Sequence, residues 1–180
     1  MTSYLNMNAS RGIRNNNPFN IKYNSANNWE GQIGIEPEGV FCQFSSIEYG
    51  IRAGFYNLIN GYFNAGYDTI TTIITRYSAT DLQAYIDFVS NELNANPDAV
   101  LVPTTDTLIN LSKAIMQMEV GTTDYNAYIT ENMIIEGYNM VPDTIGQWNK
   151  DVENIQINTM YASTSIILLL ILATSYFYYE

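Results

Sequence analysis

Asn15, Asn16 and Asn17 stand immediately before Pro18, and this run constrains the chain around it more than any other stretch. A row of side-chain amides beside a proline forms neither a helix nor a core strand. Asn bonds its own backbone in turns and tolerates left-handed geometry, and Pro18 drives Asn17 out of helical geometry. The chain from Gly12 to Phe44 is therefore expected to be a shaped loop feeding two short strands, residues 20–23 and 40–44. Gly31, Gly34, Pro37 and Gly39 would turn between them. The competing reading is a solvated, Asn-rich turn.

Composition narrows the chemistry. The chain has 7 basic and 18 acidic residues, a net charge of −11, which argues against a phosphate-binding, nucleic-acid surface. Arg11, Arg14 and Lys22 all precede the first acidic residue, Glu30, and could draw an anionic polymer; the alternative is ordinary solvated charge. With one cysteine, Cys42, and no histidine, no internal disulfide, zinc site or His-dependent nucleophile is expected. No metal or cofactor is implied. An enzyme with this composition must do its acid–base work with carboxylates. Cys42, between apolar neighbours, reads as a small buried side chain.

The stretch GIRNNNPFNIKY, then Trp29 and Gly31, then FCQF and YGIRAGFYNLINGY, resembles phage virion proteins with a peptidoglycan-cleaving domain. That family carries a GIRNNNPxNI opening, a W-x-G, an F-x-F and a GIRA helix. The likeness runs from about Arg11 to Tyr138. NNPFNIKY with its following W-x-G is also similar, over a shorter stretch, to the NNLFGIK segment of bacterial glucosaminidases of the lysozyme superfamily.

Helical spacing and caps organise the remainder. Ser45 and Glu48 read as a capping box for a helix over residues 46–64, with Ile47, Ile51, Phe55, Leu58, Ile59 and Tyr62 inward and Gly66 as its end. Asp68 would cap a helix over 69–77. Thr80 and Gln83 would open one reaching Leu93, with Tyr85, Ile86 and Val89 on its inner face. Thr104 or Thr105 would start a helix reaching Glu119 and stopped by Gly121, and Asp124 a last one to about Glu136. Residues 1–10 read as a flexible leader without a secretory signal, 11–140 as the domain and 141–159 as a polar linker. Residues 154–179 carry no charge. Within them, 160–179 are long enough to cross a bilayer, since ~20 helical residues span ~30 Å, and tyrosines flank both ends. The expected fold is α+β, mainly α: a lysozyme-like domain with a small β-hairpin and about five helices, plus a C-terminal transmembrane helix. The lysozyme-like part follows from the resemblance.

Glycosidic cleavage needs a proton donor with a raised pKa. Glu119 ends an apolar helix, where the helix dipole and apolar neighbours both disfavour its charge. AIMQMEVG is also similar to the A-x-x-x-E-S-G-x-G segment that carries the catalytic glutamate in glucosaminidases and soluble transglycosylases. There the glutamate helix precedes the NNLFGIK-like stretch, whereas here it follows, which implies a circularly permuted order. The alternative is a solvated helix-end glutamate. Glu38 is a second catalytic candidate, because an acidic residue often stands at that place in the phage family, three before Phe41; a solvated turn charge is the alternative. Asn15, Asn16, Asn17, Asn20 and Trp29 suit sugar recognition by amides and an aromatic face, and Arg14 would hold the Asn loop in shape.

The expectation is a phage peptidoglycan lytic enzyme cleaving the β-1,4 bond between N-acetylmuramic acid and N-acetylglucosamine. It would be anchored in the virion or host membrane through residues 160–179, with glycan strands, the bilayer and capsid proteins as partners and no nucleic acid. The rival is a non-catalytic virion protein that keeps the fold and binds glycan or capsid.

Overall fold

The computed structural model describes residues 1–78 and 80–142. Within them the chain runs α1 (Arg11–Arg14), β1 (Gln32–Ile35), β2 (Cys42–Phe44), α2 (Ile47–Asn57), α3 (Ile70–Tyr77), α4 (Leu82–Leu93), α5 (Thr105–Val120), α6 (Thr122–Tyr128) and α7 (Glu131–Asn139).

The expected fold class is corrected. Instead of a mainly α, lysozyme-like domain of about five helices with a transmembrane helix, the described residues form a mixed α and β structure of seven α-helices and one two-stranded sheet. No helix among them is long and apolar enough to cross a membrane. Residues 160–179, read as the anchor, and most of the expected linker lie outside the described residues. The helix count rises for two local reasons. Residues 11–14 close one helical turn before the Asn run. The helix expected from Asp124 to Glu136 breaks at Ile129, whose backbone is extended (φ −112°, ψ 122°), and restarts under a Thr130 cap.

The hairpin also differs. β1 and β2 are antiparallel, Gln32 opposite Phe44 and Ile35 opposite Cys42. β1 thus comes from the glycine-containing stretch expected to turn, while the expected strand over 20–23 contributes only a bridge from Lys22 to Phe41. The turn needs only residues 36–39: Gly39 N–H donates to the Glu36 carbonyl at 2.9 Å. That leaves Gln32–Ile35 free to pair.

α2 places the Asn loop. Its cap is Ser46, which accepts from the Tyr49 N–H, rather than Ser45. The helix passes through a π-turn (Leu58–Tyr62) and a 3-10 turn (Phe63–Ala65) and ends at left-handed Gly66, as its sequence led us to expect. Two helix glycines, poor for propensity, are there for proximity. A Cβ on Gly50 would lie 1.9 Å from the Asn16 carbonyl oxygen, and one on Gly54 2.2 Å from the Phe19 ring. The core beneath gathers Ile13, Phe19, Phe44, Ile51, Phe55 and Ile115, each at most 1% exposed. Burying a side chain of this size stabilises by roughly 1.5–3 kcal/mol.

Residues 1–10, expected as a free leader, are docked. Both Glu48 carboxylate oxygens accept from the Thr2 N–H at 2.9 Å. The Tyr4 hydroxyl donates to the Tyr128 carbonyl at 2.8 Å, and the Ser10 N–H donates to Asp124.

Candidate active site

The three asparagines are buried and their amides bond within the fold. Asn16 and Asn17 are fully buried and Asn15 is nearly so. Asn17 Nδ2 donates to the carbonyls of Ile21 and Cys42, both at 3.0 Å, and its Oδ1 accepts the Ile21 N–H at 2.9 Å. Asn16 Nδ2 donates to Ser3 Oγ and the Phe44 carbonyl, and its Oδ1 accepts from the Tyr4 N–H. Asn15 Nδ2 donates to Glu36 Oε2 at 2.7 Å and its Oδ1 accepts from Gln43. Where sugar contacts were expected, Asn15, Asn16 and Asn17 instead join leader, loop, β2 and hairpin turn in a four-way junction that occupies most of their hydrogen-bonding capacity. Asn16 adopts φ 51° and Asn20 φ 47°, the left-handed geometry that Asn accepts more readily than most residues.

What this loop delivers is Asn20. Its Nδ2 reaches across to α5 and donates to Glu119 Oε2 at 2.8 Å and to the Glu119 carbonyl at 3.1 Å. The Tyr85 hydroxyl, from α4, donates to Glu119 Oε1 at 3.1 Å. Both carboxylate oxygens therefore have a donor. Glu119 is half-buried. Burial raises its pKa above the usual carboxylate range, and the bonds from Asn20 and Tyr85 and the charge of Lys22 only partly offset this. The outcome is a carboxyl that holds its proton to higher pH than a solvated glutamate does.

An open cleft of about 670 Å³ lies next to this group. Asn20, Lys22, Trp29, Tyr62, Arg76 and Tyr77 are among its lining residues. Glu119 does not itself line the cleft; its link to it is the hydrogen bond from Asn20, which does. Its charge is nonetheless felt by the hydroxyls of Tyr62 and Tyr77, whose pKa values rise mainly through burial and additionally through Glu119. Tyr77 is fixed by donating to the Phe19 carbonyl, and Arg76 lies over the Tyr67 ring, 4.7 Å from its centroid. Asn20 Oδ1 is buried and has no hydrogen-bond partner among the described residues. The cleft thus presents aromatic faces, amides and two cations beside a protonatable carboxyl, which suits a hydroxyl-rich, acetamido-bearing or anionic ligand.

Glu38 stands elsewhere. It is exposed on the hairpin turn and ion-paired with Arg11 and Arg14, each at 2.9 Å, so the Arg14 side chain braces the turn. The buried member of that turn is Glu36, held by Arg11, Asn15 and the Phe41 N–H at 2.8 Å. Burial pushes its pKa up, but the Arg11, Phe41 and Asn15 bonds together bring it below the usual range. Trp29 does line the cleft, packed edge-on against Tyr56 at 5.8 Å.

Sequence reasoning missed Tyr77, Tyr85 and Arg76 as members of the site. Tyr85 was legible only as an inward helix position. A tyrosine on such a face also carries a hydroxyl that must find a partner, and that demand is the signal that could have pointed to it. Tyr62 reaches the cleft from the π-turn, a rare insertion that recurs at functional sites.

No family model matches the chain. Protein P5 of Pseudoalteromonas phage PM2 is 34% identical to it over 122 residues, which make up 65% of this chain and 75% of that protein.

Proposed function

We propose that this chain, which belongs to the family of this phage protein P5, is a virion-associated peptidoglycan lytic enzyme that breaks the β-1,4 bond between N-acetylmuramic acid and N-acetylglucosamine, acting at host entry or lysis. The observation that carries the reading is Glu119: a half-buried carboxyl with a raised pKa, oriented by Asn20 and Tyr85 and linked through Asn20 to an open cleft. Its role is to protonate the leaving glycosidic oxygen, a step worth typically 10²–10⁴-fold in rate. Tyr62, Tyr77 and Trp29 offer ring faces to sugars, and Lys22 and Arg76 offer charge to the carboxylates of the polymer. Among the described residues the cleft lining contains no carboxylate, and Glu38 is engaged by two arginines. This favours chemistry with a single carboxyl: as the glycosidic bond breaks and its oxygen takes the Glu119 proton, a hydroxyl of the sugar itself attacks the anomeric carbon, its proton returns to the Glu119 carboxylate, and an anhydro product leaves. Glycan strands, and capsid proteins in the particle, are the proposed partners.

The test is a zymogram on purified cell wall with the full chain and its Glu119→Gln variant, followed by mass spectrometry of the released muropeptides. Clearing by the wild type and its loss in a folded variant are expected, with anhydro-muropeptides as products. Equal clearing by the variant would remove Glu119 from the reaction.

A second reading rests on a specific contact. Asn20 also bonds the Glu119 backbone carbonyl, so the same pair clasps the loop to α5. A non-catalytic virion protein that binds glycan or capsid would use the clasp for the fold alone. Failure of well-folded wild type to clear any wall would favour it.

A further inference from the structure

We propose that the Met1–Thr2 peptide bond is cleaved in the working protein, and that the α-ammonium so formed on Thr2 is the counter-ion of the buried Glu48 carboxylate. Glu48, in the first turn of α2, is 1% exposed. Burial pushes its pKa up, but bonds from Thr2, from its own N–H and from Ser46 bring it below the usual carboxylate range, so it is an anion at neutral pH. A buried anion calls for a full opposite charge. Among the described residues, the ion pairs leave Glu48 out. Arg52, at the i+4 position where a helical partner stands, is taken up by Glu30 at 2.7 Å and the Met140 carbonyl at 3.0 Å. The start of α2 supplies only partial charge.

What does reach Glu48 is the Thr2 nitrogen, 2.9 Å from each carboxylate oxygen. As an amide it has one proton to share between two acceptors. As an ammonium it has three, and a charge that strengthens each bond. The Ile47 N–H donates to the Thr2 carbonyl at 2.8 Å, which holds the nitrogen in place with or without Met1. Met1 is 68% exposed, so that side of the bond is open to a peptidase, and threonine is small enough for the second position of a methionine-removing aminopeptidase. Hydrolysis consumes one water. The amide C–N bond breaks, the water oxygen stays on Met1 as part of a carboxylate, and both water protons end on the Thr2 nitrogen as an ammonium. The new ion pair fastens the leader whose Ser3 and Tyr4 hold Asn16, and so tightens the loop that carries Asn20. None of this depends on the glycan reading.

The test has two parts, both on the full chain. Expressed without a fusion in a bacterium, the chain is expected to show Thr2 as its first residue on N-terminal sequencing; a chain that keeps Met1 overturns the proposal. Three forms are then released from cleavable fusions: one beginning at Met1, one beginning at Thr2, and one carrying Met1→Gly. The Met1→Gly form loses the methionine side chain but keeps the Thr2 amide. At pH 7 the form beginning at Thr2 should melt roughly 2–8 °C above the other two, the scale of one added charge-assisted bond in a domain of this size. A form beginning at Thr2 that melts no higher than both others overturns the ion pair. Glu48→Gln in each form should close the gap, and a gap that persists in it assigns the effect to something other than Glu48 and overturns the proposal. The first three forms all keep Glu48, so their comparison decides whether or not Glu48→Gln folds.

Discussion

Replacing Asn17 with Asp is the sharpest probe of the loop, because the two side chains have nearly the same shape. The change keeps the acceptor for the Ile21 N–H and removes both donors, which now reach the Ile21 and Cys42 carbonyls at 3.0 Å. Two lost bonds cost about 1–3 kcal/mol. The larger effect is charge. Asn17 is 0% exposed, and an ionised carboxyl there would face two carbonyl oxygens. Burial of this kind raises a carboxyl pKa by up to ~3–5 units, at about 1.4 kcal/mol per unit. The folded pKa of the introduced carboxyl lies above its unfolded value. Its destabilisation is therefore small below the unfolded value and grows as pH rises toward the folded one. At about pH 7 the total should reach ~5 kcal/mol, a large part of the ~5–15 kcal/mol typical of a domain. Near pH 4 only the lost bonds should remain. Denaturant titrations of wild type and variant at both pH values give the difference directly, and taking the difference at each pH cancels the protein's own acid response. Asn91→Asp, on the exposed face of α4, is the control and should stay within ~0.5 kcal/mol of wild type. A variant within about 1 kcal/mol of wild type at pH 7, or a difference that does not change with pH, would refute the argument that these amides are internal struts.

Three further outcomes follow from the same contacts. Gly50→Ala should lower the melting temperature, although alanine favours a helix by ~1 kcal/mol, because the added methyl meets the Asn16 carbonyl at 1.9 Å and overpacking costs ~1–3 kcal/mol; a raised melting temperature would contradict the close approach. Tyr85→Phe removes a donor that lowers the Glu119 pKa, so the alkaline limb of the pH–activity profile should move upward; an unmoved limb would dissociate Tyr85 from the acid. Glu36, whose pKa is depressed, contributes stability that is present above the usual carboxylate range and is lost as pH falls through its folded value. Glu36→Gln should accordingly cost about 2–3 kcal/mol near pH 7 and flatten the acid limb of stability, read from melts across pH.

Local signals survived where they are strong. The Gly66 and Gly121 stops, the Thr104 cap and the inward faces of α2 and α5 were all readable, because caps and helical periodicity act over a few residues. The triple Asn was readable as a shaped loop for the same reason. Its role was not, since an amide that bonds a sugar and an amide that bonds a carbonyl are the same residue in the same string. Only the fold shows that Ser3, Tyr4, Ile21, Cys42 and Phe44 converge on it. β1 was hidden because Gly31 and Gly34 mimic turn chemistry. Glu119 was legible from the apolar helix that ends on it. Its partners Asn20 and Tyr85 come from elements 99 and 34 residues away, and no spacing rule connects them.

That long separation sets a clock. Closing a loop of this length is a modest entropic cost, because the penalty grows only with the logarithm of length. The delay comes from synthesis: at ~5–20 residues per second, the 99 residues between Asn20 and Glu119 take roughly 5–20 s to make. Throughout that interval a nascent chain carries the amide without the acid it will orient. Tyr4 waits longer still, for a carbonyl 124 residues downstream. Any fragment that stops before α5 has the conspicuous asparagine motif and none of the chemistry proposed for it.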